Sequence, residues 1–465
     1  MPTASAAPTI GPTASPEPPR PTPTLDPLRN IPERGVITST YTVQRGDTLS
    51  GIAEVTGATV EELMQINGML NADRLKVGQD LLVLLPIEGH APSVKLIPDS
   101  ELVNSPTAIT FDVVKYVTAT LGYIKVYTEE VDGAPMDGAH IVMRIAEQYS
   151  IHPRILLALL EYKGGWLSNP NPTGDQRDYP LGYNKTDIKS LYLQLSWASA
   201  RLNEGYYGWR LASRLWVRLL DDGGRAYMGN GINAGTAGAQ NYLAAISTRA
   251  TWQDVMGANG FITTWRKLFG DPWKYDLGML VPADLQQPTL DLPWAKGQTW
   301  LFTGGPHATW GAGTPWGALD FTAWGAYGCN ELSDWVTAMS DGAVARSRNG
   351  EVVVSLDASA DERAGWAILY LHMGTEGRAQ LGARIKAGDR IGHPSCEGGV
   401  TNGSHAHLAR KYNGEWLNAT GAIPFTIGGW MPAEGGQEYD GKITNGKLTR
   451  TPCECKELAT NGITH

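Results

Sequence analysis

Two histidines stand one residue apart in NGSHAHLARKYNGEW, residues 402–416. In a strand, His405 and His407 point to the same face. Five of the chain's nine histidines lie between residues 307 and 407: His307, His372, His393, His405 and His407. Asp320 stands among them in PWGALDFTAW, with Leu319 and Phe321 facing the other side of a strand. His372 ends the apolar run WAILYLHM, where a lone polar group needs a partner. Two neutral imidazoles and a carboxylate are ordinary zinc ligands, and three protein ligands leave a fourth position for water. Zinc lowers the pKa of that water to about 7 and polarises a carbonyl. Histidines that do not ligate can serve as base or oxyanion donor. A lone His-x-His is more often a surface pair, but the five-fold clustering argues for a common site.

GGPHATWGAGTPWGALDF, YLHM and GSHAHLAR resemble the three signatures of the lysostaphin-type zinc endopeptidases, which cut peptidoglycan cross-bridges. The resemblance covers about residues 297–430. The common form has His-x-x-x-Asp at the first signature, and here Trp316 holds that position and cannot ligate. The beta-lytic and staphylolysin branch places the histidine thirteen residues before the aspartate, the spacing of His307 and Asp320. The resemblance therefore implies zinc on His307, Asp320 and His407. It implies catalysis by His405 as base and by His372 at the oxyanion and leaving amine. His393 matches no signature and reads as a structural or supporting residue. Cys329 and Cys396 fall in loops of this region; a bridge would close a loop of about 66 residues and contribute roughly 4 kcal/mol, and two free thiols are the alternative. Cys453 and Cys455 are too close for an easy bridge and are assigned nothing.

The elements that carry these residues read as short alternating strands between Gly-rich turns, an antiparallel β domain. The rest of the chain differs in kind. Residues 1–38 are rich in Pro, Thr, Ala and Ser and read as a disordered tether. Residues 39–86 run strand, helix, helix, strand, with Thr48 and Thr59 as helix caps and Glu62 completing a capping box. YTVQRGDTLSGIA, LMQING and LKVGQDLLV resemble the LysM module, which implies binding of N-acetylglucosamine glycans such as peptidoglycan or chitin. The implied groove lies near Gly46, Asp47, Thr48, Asn67 and Gly68. A linker follows at 87–105.

Residues 106–278 show helical spacing, as in HPRILLALLEYKGGWL, where Glu161 ends an apolar helix. The order of helices resembles the lytic transglycosylase and goose-type lysozyme fold, whose helix-ending glutamate is the general acid. Tyr162 follows Glu161 where that family has serine; a capping glutamate in a spacer domain is the bland reading. A second linker spans 279–296, and 431–465 is a polar tail.

The 465 residues exceed one hydrophobic core, so several domains are expected. The net charge is −9 and Lys and Arg form no long run, so nucleic acid and anionic membrane are poor partners. No apolar stretch approaches the roughly 18 residues that span a bilayer, and no signal-peptide pattern follows Met1. The expectation is a multidomain α+β protein: a small βααβ LysM module, a mostly α-helical lysozyme-like domain and an antiparallel zinc peptidase domain. Its function would be that of a secreted or wall-associated peptidoglycan hydrolase. The alternatives are an inactive wall-binding scaffold and a glycosidase or lytic transglycosylase using Glu161.

Overall fold

The computed structural model describes residues 29, 31–56, 58–184, 188–220, 224–330, 332–357 and 359–465. The expected tether lies outside them as far as residue 28. The first strand, Arg34–Thr42, begins inside the expected tether and pairs antiparallel with Asp80–His90 across two helices, Leu49–Thr56 and Val60–Ile66. Thr59 and Glu62 form the anticipated capping box. Leu49, Ile52, Leu63, Leu81 and Val83 fill a separate small core beneath. The second strand runs past residue 86 because Ile87 and His90 pair in parallel with Arg225 and Tyr227. The module is thus joined to the next region by a four-stranded sheet that ends in the hairpin Trp216–Arg218 and Arg225–Tyr227.

The helical region packs Gly138–Tyr149, Leu191–Arg210 and Ala234–Ala245 around Pro153–Gly164. That central helix is apolar on all sides, and Ile155 to Leu160 are fully buried. Pro153 opens it after the His152 cap, and Gly165 closes it at φ 65°.

The β region is built on one large sheet in which Trp366–Leu371, Ala406–Tyr412, Trp316–Ala323 and Thr299–Ala308 are neighbours. One face carries Phe302, Leu319, Phe321, Tyr370 and Leu408 into its own core. The other carries Ala318, Leu369, Leu371, Ala409 and Trp416 into the same core as the helical region. The boundary at 296/297 divides the sequence but not the packing. Buried polar contacts cross the seam: Gln148 donates to Glu351 at 3.1 Å, Tyr206 to Glu415 at 2.9 Å, and the Trp416 N–H to Tyr207 at 2.9 Å.

The expected polar tail is structured. Met431–Ala433, Lys442–Asn445 and Leu448–Arg450 form a small sheet, and Gly462–Thr464 is an edge strand of the large one, paired with Thr299–Leu301. Apolar Ile443 and Ile463, each 1% exposed, give it the anchoring that its composition hides.

Candidate metal centre and its histidines

His407 and Asp320 are direct cross-strand partners, and Asp320 also faces Gly304. Gly304 is required there, because a Cβ would lie 2.6 Å from Asp320 Oδ2. His307 pairs with Ala318, two residues before Asp320 and on the same face. His405 and His407 flank Ala406, which points into the opposite core.

Three atoms converge. His307 Nε2 is 3.0 Å from His407 Nδ1 and 3.4 Å from Asp320 Oδ1, and His407 Nδ1 is 3.2 Å from Asp320 Oδ1. Each ring commits its other nitrogen to a carbonyl: His307 Nδ1 donates to Gly305 at 2.7 Å and His407 Nε2 to Thr309 at 3.0 Å. A carbonyl only accepts, so those nitrogens hold the ring protons. The neutral rings then turn two lone pairs and a carboxylate oxygen on one point, with no donor among them. Asp320 Oδ1 is buried without a hydrogen-bond partner. Such a set calls for a cation. The edges of 3.0–3.4 Å suit three ligands on one tetrahedral zinc, for which bonds near 2.0–2.1 Å imply about 3.3 Å. These residues are the metal-ligand group found among the described residues, and they fit the ion.

Burial opposes ionisation of Asp320, but His307 and His405 hold its carboxyl well below the usual range. Burial also opposes charge on His307, and Asp320 outweighs it and raises that imidazole.

The other two histidines stand beside this triangle. His405 Nε2 is 3.6 Å from Asp320 Oδ1, and His405 Nδ1 donates to the Gly403 carbonyl at 2.8 Å. His372 lies 4.6 Å from His405 between ring centroids and donates Nδ1–H to the Glu397 carbonyl at 2.9 Å. Its backbone is left-handed at φ 67°, held where its carbonyl accepts from the Ser395 N–H and hydroxyl. Burial, then the neighbouring His405 and His407, push His372 down to about 3. As a neutral ring it offers a lone pair at Nε2, so it can donate to an oxyanion only after taking up a proton.

Trp316 begins its strand opposite Ala308, outside the ligand triangle. His393 is apart from the cluster, tilted against Trp335 with ring centroids 3.7 Å apart and donating to the Asp334 carbonyl. Cys329 and Cys396 are bridged. Cys453 and Cys455 are bridged too, against the expectation that residues so close do not bridge easily: the chain bends to set their Cα atoms 5.1 Å apart, within the usual disulfide span. Their loop reaches the segment before His405 through Glu454, which accepts from Asn402 at 3.0 Å.

Tyr439, in the supposed tail, escaped the sequence reading. Its ring stacks on His307 at 4.1 Å and its carbonyl accepts from the Gly305 N–H at 2.8 Å. The only sequence signal was a glycine-flanked aromatic in GGQEYDG.

In the helical region Glu161 is tied into its own loop. Its carboxylate accepts from the Leu167 and Ser168 N–H groups at 2.9 and 3.2 Å and from the Ser168 hydroxyl at 2.6 Å. In the N-terminal module, Asp47 accepts from Gln44 N–H and Tyr41, and Thr48 from Gly51 N–H. The Asn67 amide clamps Leu63 and Leu82. These side chains shape the loops, while Gly46 and Gly68 turn them at φ 97° and 60° and Leu70 beyond is 99% exposed.

A β domain with a two-histidine, one-carboxylate triangle and two adjacent histidines defines a metallohydrolase site. Comparison with known proteins narrows it. Residues 41–83 match the LysM domain and residues 95–284 match the N-terminal domain of LasA. Protease LasA of Pseudomonas aeruginosa is 26% identical over 310 residues, 63% of this chain and 69% of that protein. Beta-lytic metalloendopeptidase of Achromobacter lyticus is 27% identical over 171 residues, 35% of this chain and 42% of that protein. The solved M23 metalloprotease pseudoalterin from the deep sea is 25% identical, covering 36% of this chain and 96% of that one at a TM-score of 0.31. The chain is similar to the LasA and beta-lytic metalloendopeptidases and matches a LysM domain near its N-terminal side. For the middle region the match is to a LasA-type N-terminal domain, which takes the place of the expected lysozyme-like one.

Proposed function

We propose that this protein is a zinc-dependent endopeptidase that cuts the peptides of peptidoglycan and is held to wall glycan by its LysM domain. The observation that carries the reading is the triangle of acceptor atoms on His307, Asp320 and His407, with Asp320 Oδ1 buried and unpartnered. These three residues would hold the zinc. When bound, the ion supplies a water acidic enough to ionise near neutral pH and a Lewis acid for the scissile carbonyl. His405 Nε2, unprotonated and facing Asp320, is placed to take the water's proton. His372 Nε2 shares the same space, and a proton received there makes the ring a donor toward the oxyanion or the departing amine. Tyr439 fixes the plane of His307. Secretion to the wall fits this substrate, and among the described residues no helix is long and apolar enough to cross a membrane.

The test is mass spectrometry of digested sacculi with metal analysis of the same enzyme. New peptide amino termini that disappear on chelation support the proposal. Cleavage confined to glycan bonds, or peptide cleavage indifferent to metal, overturns it.

A further inference from the structure

The lack of any long basic run in the sequence conceals a cluster that the fold assembles. In the hairpin that ends the four-stranded sheet, Arg218 and Arg225 are direct cross-strand partners, and Trp216 faces Tyr227 two pairs further along. Alternate residues of this hairpin, Val217 and Ala226, are fully buried, so the arginines share the outer face. Arg214 lies over the Trp216 ring at 3.8 Å and Arg225 at 5.7 Å. Arg201 and Arg214 both reach Glu204, the first at 2.9 Å. Among the described residues of this patch, four arginines and one glutamate sum to +3, and Asp221 and Asp222, between the two strands in sequence, lower that to +1, on a chain whose total is −9.

Like charges directly opposite in a strand pair destabilise it, and here no described residue neutralises either partner. Among the described residues Arg218 and Arg225 form no ion pair, and Arg225 Nε is buried without a hydrogen-bond partner. Burial and the neighbouring Arg218 lower the Arg225 guanidinium from its ordinary value, and burial does the same to Arg214 against the pull of Glu204. Arg214 is held on the Trp216 ring by Glu204 and the Trp216 carbonyl, so the guanidiniums open to an oxyanion are those of Arg218 and Arg225, planar forks that grip phosphate better than ammonium groups do.

We infer that this arginine cluster binds the phosphates of an anionic, phosphodiester-linked cell-wall polymer. The charge suits a few spaced phosphates rather than the continuous charge of a duplex. The hairpin shares its sheet with both LysM strands, which puts the anion site and the glycan module on one wall-facing scaffold. The identity of the polymer's source rests on the peptidoglycan-hydrolase reading; the anion site itself does not.

The test uses the full chain and soluble poly(glycerol phosphate), with inorganic phosphate, a short DNA duplex and phosphatidylglycerol vesicles as parallel probes. The polymer should bind, with log K falling against log salt at a slope of about 2 for three phosphates. Arg218→Glu with Arg225→Glu should weaken it at least tenfold, and Arg225→Lys less. Cleavage of a soluble peptide should be unchanged by these variants, so a failure here is separable from a failure of the peptidase reading. Without polymer, Arg218→Ala should leave the melting temperature equal or higher, since it relieves repulsion. Asp221 and Asp222 lie in the hairpin tip outside the described residues; a drop in melting temperature would show the arginines serving an internal ion pair and overturn the proposal. So would absent polymer binding, binding unaffected by the double variant, or stronger binding to DNA or vesicles.

Discussion

Glu161, near the end of an apolar helix, and Asp320, inside an apolar strand, are both carboxylates on buried elements, and the structure uses them in opposite ways. Glu161 spends both oxygens on its own loop, accepting from Leu167, Ser168 N–H and the Ser168 hydroxyl. Asp320 is buried, faces two imine nitrogens and keeps Oδ1 without a hydrogen-bond partner. A carboxylate whose acceptors are filled locally builds backbone. One that is buried with an acceptor unfilled is costly unless a cation arrives. Residue type on an apolar helix or strand does not distinguish the two; the accounting of each oxygen does.

The sharpest break of that comparison is at the ligands. His407→Ala should remove metal and peptidase activity together, because two ligands hold zinc poorly. His405→Ala should keep the metal and lose about 10²–10⁴-fold in turnover, the usual contribution of a general base. Metal content by emission spectroscopy and turnover on a soluble peptide check both. Zinc lost in His405→Ala but kept in His307→Ala would reverse the ligand and base assignments.

The next effect is on stability, at a carboxylate that is buried and fully paired. Glu362 accepts from Arg346 Nε at 2.8 Å and from Lys411. Burial pushes its pKa up, but Arg346 and Lys411 hold it at about 2, below the ordinary 4.5. A depressed folded pKa gives stability that is present above 4.5 and lost as pH falls from there toward 2. Glu362→Gln should cost about 3–5 kcal/mol at neutral pH by stranding the buried Lys411 ammonium and leaving Arg346 to Glu351 alone. It should also flatten that part of the acid limb in chemical denaturation against pH. A variant as acid-sensitive as the parent would show the limb to belong to other groups.

What was legible in the sequence follows the same logic. His307, Asp320 and His407 could be read because ligation restricts residue type and a two-residue period puts them on one face. The capping box at Thr59 and Glu62 is local and was readable for that reason. Tyr439 was not, because a single ring reaches His307 from more than a hundred residues away through a turn. The seam was hidden by its chemistry. Glu351, Glu415 and Gln148 are polar residues that read as surface, yet they are buried between the helical and β regions, Gln148 on Glu351 and Glu415 on Tyr206. The four arginines, spread singly over residues 201–225, read as no basic run, and Arg218 and Arg225 become neighbours only once the hairpin forms.

The smallest expected effect is at Glu161, and it sharpens the comparison most. If Glu161 only stitches its loop, Glu161→Gln keeps one acceptor oxygen and loses the charge on three hydrogen bonds. Charge-assisted bonds to a part-exposed group should then cost about 1 kcal/mol when weakened to neutral ones. The melting temperature should fall by a few degrees at most, peptide cleavage should persist, and the unmutated protein should release no new glycan ends from sacculi. The competing reading, a general acid at a helix end, requires Glu161 to hold a proton and give it to a glycosidic oxygen. Both of its oxygens are instead engaged by the Leu167 and Ser168 N–H groups and the Ser168 hydroxyl. New reducing or anhydro glycan ends that vanish in Glu161→Gln, with stability unchanged, would make Glu161 catalytic and show that a filled acceptor set can open when substrate enters.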